Sequence, residues 1–112
     1  MKLLILSFLL LPIIVTAQIK QAGIIDNHKP LILTEASCGQ CKFGFKGKGC
    51  DLAVRIKGKS YFVDGINIDS LGDAHAKHGL CNSIRKAEAQ GEIKNNHFVA
   101  TYLSLLPVRK KK

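Results

Sequence analysis

Cys38 and Cys41 stand two residues apart in Cys-Gly-Gln-Cys, Cys50 follows in Gly-Lys-Gly-Cys-Asp-Leu-Ala, and Cys81 closes His-Gly-Leu-Cys. Four thiols in this arrangement support three chemistries. They can form two disulfides, they can hold a soft metal ion, or Cys38 and Cys41 can act as a redox couple. Each chemistry makes a different demand on the elements that carry the cysteines.

The disulfide chemistry needs an oxidising compartment, and the N-terminus points to one. Met1-Lys2 is a short basic start, Leu3 to Val15 is apolar, and Val15-Thr16-Ala17 offers small residues suited to a signal peptidase. Cleavage is expected after Ala17, which removes 17 of the 112 residues and leaves a chain from Gln18 to Lys112. The alternative, an uncleaved membrane anchor, is disfavoured because the run is shorter than the roughly 18–20 residues that span a bilayer and Pro12 interrupts it. No transmembrane span is expected after cleavage. The protein is therefore read as exported, periplasmic or secreted, where disulfides persist.

The metal chemistry would recruit histidines. His75, His78 and Cys81 are spaced three apart, which places them near one face of a helix, and Cys38 and Cys41 have the gap of a zinc knuckle. Zinc or copper would suit the set Cys38, Cys41, His75, His78 and Cys81. The redox chemistry needs a helix beginning at the Cys-x-x-Cys motif. Here Lys42-Phe43-Gly44-Phe45-Lys46-Gly47 follows, which is too glycine-rich for one, and Lys42 stands where a c-type haem site needs histidine.

Other catalytic patterns are missing. There is no phosphate-binding Gly-rich loop, no Gly-x-Ser-x-Gly elbow and no His-Glu-x-x-His helix. Asp64, Asp69 and Asp73 lack the spacing of a calcium loop and read as turn and cap residues. The expected protein is not an enzyme, with thiol–disulfide oxidoreductase as the enzymatic alternative.

The elements that position the cysteines are legible in part. Gln18 to Pro30 reads as an extended lead-in. Leu31 to Ser37 has the composition of a first strand, and Cys38 to Gly49 is a loop anchored by Phe43 and Phe45. Cys50, Leu52, Val54 and Ile56 alternate with Asp51, Ala53, Arg55 and Lys57, which is the pattern of a half-buried strand. Lys57-Gly58-Lys59 is a turn, Ser60 to Asp64 the returning strand, and Gly65 to Gly72 a connection. Asp73 is the expected N-cap of a helix carrying Leu80, Cys81, Ile84 and Ala87 on one face, with Gly91 ending it. Glu92 to Lys94 and His97 to Leu106 form a last hairpin around Asn95-Asn96. Pro107 ends the domain and 108–112 is a basic tail.

This order gives one α+β domain over 31–107. It fits a small five-stranded OB-like barrel or a curled antiparallel sheet, with one helix between strands 3 and 4. On that frame the expected disulfides are Cys41 with Cys50, closing the glycine-rich loop, and Cys38 with Cys81, tying helix to sheet. No cofactor is expected on the disulfide reading; zinc or copper is the alternative.

The formal charge is +9, or +8 once Lys2 is removed. Lys42, Lys46, Lys48, Lys57 and Lys59 are a candidate surface for an anionic partner, beside the bland alternative of a solvated basic face. Nucleic acid is not an expected partner, since the chain is exported and has no Trp and only two Tyr to stack on bases. The partner is read as an envelope protein or a small ligand.

The run from Glu35 to Cys41, Gly47-Lys48-Gly49-Cys50-Asp51-Leu52-Ala53, Gly72-Asp73-Ala74-His75-Ala76 and Cys81 to Ala87 together resemble a family of small exported bacterial proteins of unknown function. The resemblance spans Thr34 to Leu106. It implies a compact exported domain with these four cysteines as its signature, and no activity.

Overall fold

A computed structural model describes residues 20–108. The expected export signal, its cleavage point and the Arg109 to Lys112 run lie outside the described residues. The elements are β1 (Gln21–Gly23), β2 (Ile32–Cys38), α1 (Gly39–Lys42), β3 (Leu52–Ile56), β4 (Lys59–Asp64), a 3-10 turn (Ile68–Leu71), β5 (Arg85–Lys94) and β6 (His97–Leu105).

Five strands close into a barrel. The order runs β2-β3-β4-β6-β5, and β5 pairs back onto β2. β1 is an extra strand laid antiparallel on β6. The wall is mixed rather than purely antiparallel, because β4 and β6 run parallel. Closure leaves β2 to β6 with no free edge among themselves.

Local chemistry sets the hairpins. Lys57 and Gly58 both take positive φ, at 50° and 82°, between β3 and β4, and Asn95 and Asn96 do so at 49° and 64° between β5 and β6. Two consecutive left-handed residues make the turn whose twist matches a hairpin. Inside, Val54, Phe98 and Leu103 are fully buried and pack with Ala36, Ala87 and Ala89.

The expected helix is not formed. Residues 74–82 make successive turns and bends, and the chain is already in β5 by Arg85. Arg85 to Gln90 consists of good helix formers, but Ala87 and Ala89 point inward while Lys86 and Glu88 point out, and both flanks find strand partners in β2 and β6. Tertiary pairing outweighs intrinsic propensity here. Gly91 is not a helix cap. It sits at the β-bulge between Gln90 and Gly91, where a Cβ would run into the Val99 carbonyl.

The segment between β4 and β5, residues 65–84, crosses the barrel end where β2 stops and β3 starts. Ile66, Ile68, Leu71, Ala74 and Leu80 plug that end. The lead-in is tied at its own point: the buried Gln90 side chain accepts from the Asp26 N–H at 2.8 Å and donates to the Asp26 and Lys29 carbonyls.

Candidate functional site

The plugged end of the barrel gathers all four cysteines. Cys38 ends β2, Cys41 lies in α1, Cys50 precedes β3, and Cys81 lies in the turns before β5. Their Sγ atoms all lie within 4.8 Å of one another. Cys38 is fully buried, Cys50 and Cys81 are half-buried, and Cys41 is exposed.

Cys38 and Cys41 belong to one turn. Cys38 caps α1, and the Cys41 N–H donates to Cys38 Sγ at 3.4 Å. The turn packs tightly on the outer barrel wall. A Cβ on Gly39 would meet the rings of Phe45 and Phe62, which stack at 4.3 Å, and the Cβ of Ala53. Phe43 lies beneath the Arg55 guanidinium at 4.9 Å. Both loop phenylalanines thus anchor the glycine-rich loop, as their sequence position predicted.

Two tethers bring the other cysteines in. Gln40, inside the Cys-x-x-Cys turn, accepts from the Asp51 N–H at 2.9 Å and donates to Asp51 Oδ2 at 2.6 Å, which fixes Cys50 beside the turn. Ser37, beside Cys38, donates to the Leu80 and Ser83 carbonyls at 2.7 and 2.9 Å, which fixes the segment around Cys81. Cys38 N–H also donates to Leu80 O, and Cys81 N–H to Ala74 O. Asp73 and Asn82 organise the intervening turn: Asp73 accepts from the His75 N–H, and Asn82 donates to the His75 and Ala76 carbonyls. Sequence reasoning singled out the four thiols but not Ser37, Gln40 or Asn82 as the residues that assemble them.

Cys50 and Cys81 are joined as a disulfide, and Cys38 and Cys41 are free. The expected pairing, Cys41 with Cys50 and Cys38 with Cys81, is therefore corrected. It relied on a helix carrying Cys81 toward β2. The turns carry Cys81 over Cys50 instead, with Cα atoms 7.0 Å apart. Cys41 Sγ still lies 3.9 Å from Cys50 Sγ.

The histidines take other positions. Without the helix there is no helical face for His75, His78 and Cys81 to share, and neither histidine belongs to the four-cysteine group. His75 is exposed and lines a cleft of about 660 Å³ with Cys50, Cys81 and the acidic Asp51, Asp64 and Asp69. His78 is exposed and offers its carbonyl to Arg85. Lys42, Lys46 and Lys48 lie on the loop at the cysteine end, whereas Lys57 and Lys59 flank the β3–β4 turn at the far end of those strands.

Within the turn, Cys41 is the thiol whose electrostatics are perturbed. The hydrogen bond with Cys38 pushes the Cys41 thiol above its ordinary pKa, burial and the Cys38 charge add to that, and Lys42 pulls the other way. With only four residues, α1 supplies no extended helix dipole.

The family model described as "Family of unknown function (DUF6370)" matches residues 32–106. The chain belongs to this family. The matched segment takes in all five barrel strands and all four cysteines. No curated protein and no solved structure matches the chain.

Proposed function

We propose that this protein is a small, non-enzymatic metal-binding module of the cell envelope, built on an OB-like barrel, in which Cys38, Cys41, Cys50 and Cys81 together hold one zinc-class ion. The observation that carries this is the convergence of four Sγ atoms within 4.8 Å. Four sulfurs set tetrahedrally at about 2.3 Å from zinc lie about 3.8 Å from one another. The 3.9 Å between Cys41 and Cys50 already meets that spacing. The Cα spacing of 7.0 Å between Cys50 and Cys81 sits at the long end of what a disulfide bridges, and two cysteines sharing an ion also reach it.

The donor set fits the chemistry. Thiolates select zinc, copper(I) or iron over hard cations, and a closed set of four is a structural centre without an open catalytic position. The Cys41 N–H on Cys38 Sγ is the kind of outer hydrogen bond that orients a ligand. Gln40 and Ser37 are positioning residues of the same kind, because they hold the segments bearing Cys50 and Cys81.

The disulfide between Cys50 and Cys81 favours a second reading, in which the cysteines staple a barrel that binds an envelope protein or an anionic ligand. Lys42, Lys46 and Lys48 would then present the binding face, and the binding would weaken with salt.

The two readings separate in one experiment. The chain from Gln18 to Lys112 is purified under reducing, chelator-free conditions and titrated with cobalt(II) and zinc. Tetrathiolate binding gives one ion per chain, with intense sulfur-to-cobalt charge-transfer bands that zinc displaces. Cys38→Ser weakens those bands and the affinity, while a His75→Ala/His78→Ala double variant keeps both. Substoichiometric uptake, or bands lost in the histidine variant, would reject this centre.

A further inference from the structure

The four cysteines are not equivalent, and the difference has a chemical direction. Cys38 and Cys41 share a single turn, the Cys41 N–H donates to Cys38 Sγ, and Cys38 is fully buried. Cys50 and Cys81 come from two separate segments, both are half-buried, and both line the 660 Å³ cleft that opens to solvent; Cys38 and Cys41 do not line it. These two cleft-facing sulfurs are the bonded pair.

We infer that the centre is a redox-gated metal site: oxidation joins Cys50 to Cys81 through the cleft and releases the ion, while Cys38 and Cys41 stay as thiols ready to rebuild it. This rests on the metal-binding proposal above. The oxidant is a low-molecular-weight disulfide. One of the two cleft thiolates attacks a sulfur of that disulfide, forming a mixed disulfide and expelling one thiolate. The other then attacks the protein sulfur of the mixed disulfide, forming the Cys50–Cys81 bond and expelling the second thiolate. The two electrons lost by Cys50 and Cys81 leave on the two expelled thiolates, which take protons from solvent. The ion keeps only Cys38 and Cys41, an incomplete set for zinc, and dissociates as those thiols take up protons.

The geometry limits the structural cost of the switch. Ser37 and Gln40 hold the segments around Cys81 and Cys50 independently of the sulfur chemistry, so both states share one backbone frame. The acidic lining of the cleft, Asp51, Asp64 and Asp69, makes an uncharged disulfide the cleaner probe.

The test uses the chain from Gln18 to Lys112, reduced and loaded with zinc, then titrated with hydroxyethyl disulfide. A chromogenic chelator reads the released zinc. At each step free thiols are alkylated and peptides mapped by mass spectrometry. The expected result is zinc release in proportion to two thiols lost per chain, with the Cys50 peptide linked to the Cys81 peptide and Cys38 and Cys41 alkylated. Reductant plus zinc then restores the loaded state. Zinc retained after the Cys50–Cys81 bond forms, or release that accompanies a Cys38–Cys41 bond instead, overturns the switch and leaves the metal site standing. A reduced chain that takes up no zinc overturns both, and it does so at the loading step before any oxidant is added.

Discussion

The barrel wall and the segment across its end, residues 65–84, are built on different principles. The wall is held by continuous hydrogen-bond ladders that return on themselves from β2 round to β5. The end segment has one 3-10 turn and no strand. It is held by a few apolar plugs, by side chains that bond to backbone, and by the link from Cys81 to Cys50. A wall of this kind opens as a unit, whereas a segment with few backbone ladders opens locally. Of the four cysteines, Cys81 lies in the part of the fold that is least self-supporting, and there a cross-link or an ion has most to hold.

The strongest way to probe the wall is to remove its largest fully buried side chain. Phe98 lies on β6 and is 1 % exposed. Phe98→Ala is expected to cost about 3–5 kcal/mol through lost burial and the cavity left behind. Wall and end segment should lose structure together, seen as one transition in urea followed by circular dichroism. A partial transition that leaves the wall intact would break the distinction drawn above.

Cys81→Ser probes the other region. In metal-free, oxidised protein it removes the link to Cys50, and stability is expected to fall by about 2–4 kcal/mol. The loss should be local in its first effect. Amide hydrogen exchange should accelerate across residues 66–84 while the β5–β6 ladder keeps its protection. Equal acceleration in β6 would show that the end segment and the wall unfold as one.

Ser37→Ala sharpens the same contrast without touching sulfur. The hydroxyl lies fully buried on the wall and donates to two carbonyls of the end segment. Leu80 O keeps the Cys38 N–H, but Ser83 O loses its hydroxyl donor. A cost of about 1–2 kcal/mol is expected in thermal unfolding. Zinc affinity, measured by chelator competition, should fall by roughly 10-fold or more as the Cys81 segment loosens. Unchanged affinity would mean that the segment is held by its apolar plugs alone.

The same contrast decides what could be read from the residues alone. β3 carries an alternating sequence, β4 and β6 are apolar and β-branched runs bounded by turn residues, and Lys57-Gly58 and Asn95-Asn96 announce their turns chemically. The wall was legible for that reason. Arg85 to Gln90 misled because its residues favour a helix locally, while its β structure comes from two partners distant in sequence. The end segment had no periodicity to read once its helix was gone. So the four thiols were recognisable by type and spacing, but their pairing was not. Which sulfur meets which depends on where an irregular connection sets Cys81 down, and Ser37, Gln40 and Asn82 settle that through bonds no local pattern reveals.

The smallest effect is expected from an ion pair on the wall. Arg55 Nε lies 3.0 Å from Glu35 Oε1, across directly paired positions of β3 and β2. The side chains are 32 % and 43 % exposed, so water screens most of the attraction. Glu35→Gln should change unfolding free energy by less than about 1 kcal/mol, since exposed pairs of this kind contribute little and the ladder beneath them persists. Arg55→Ala should cost more than Glu35→Gln, because it also uncovers the Phe43 ring that the guanidinium packs on at the base of the cysteine loop. That ordering, read from paired urea titrations, tests whether Arg55 matters to the wall or to the loop. If the two variants cost the same, the ion pair carries the whole effect. A larger cost for Arg55→Ala, with faster exchange confined to residues 42–49, would put the contribution in the loop that carries Cys41 to the centre.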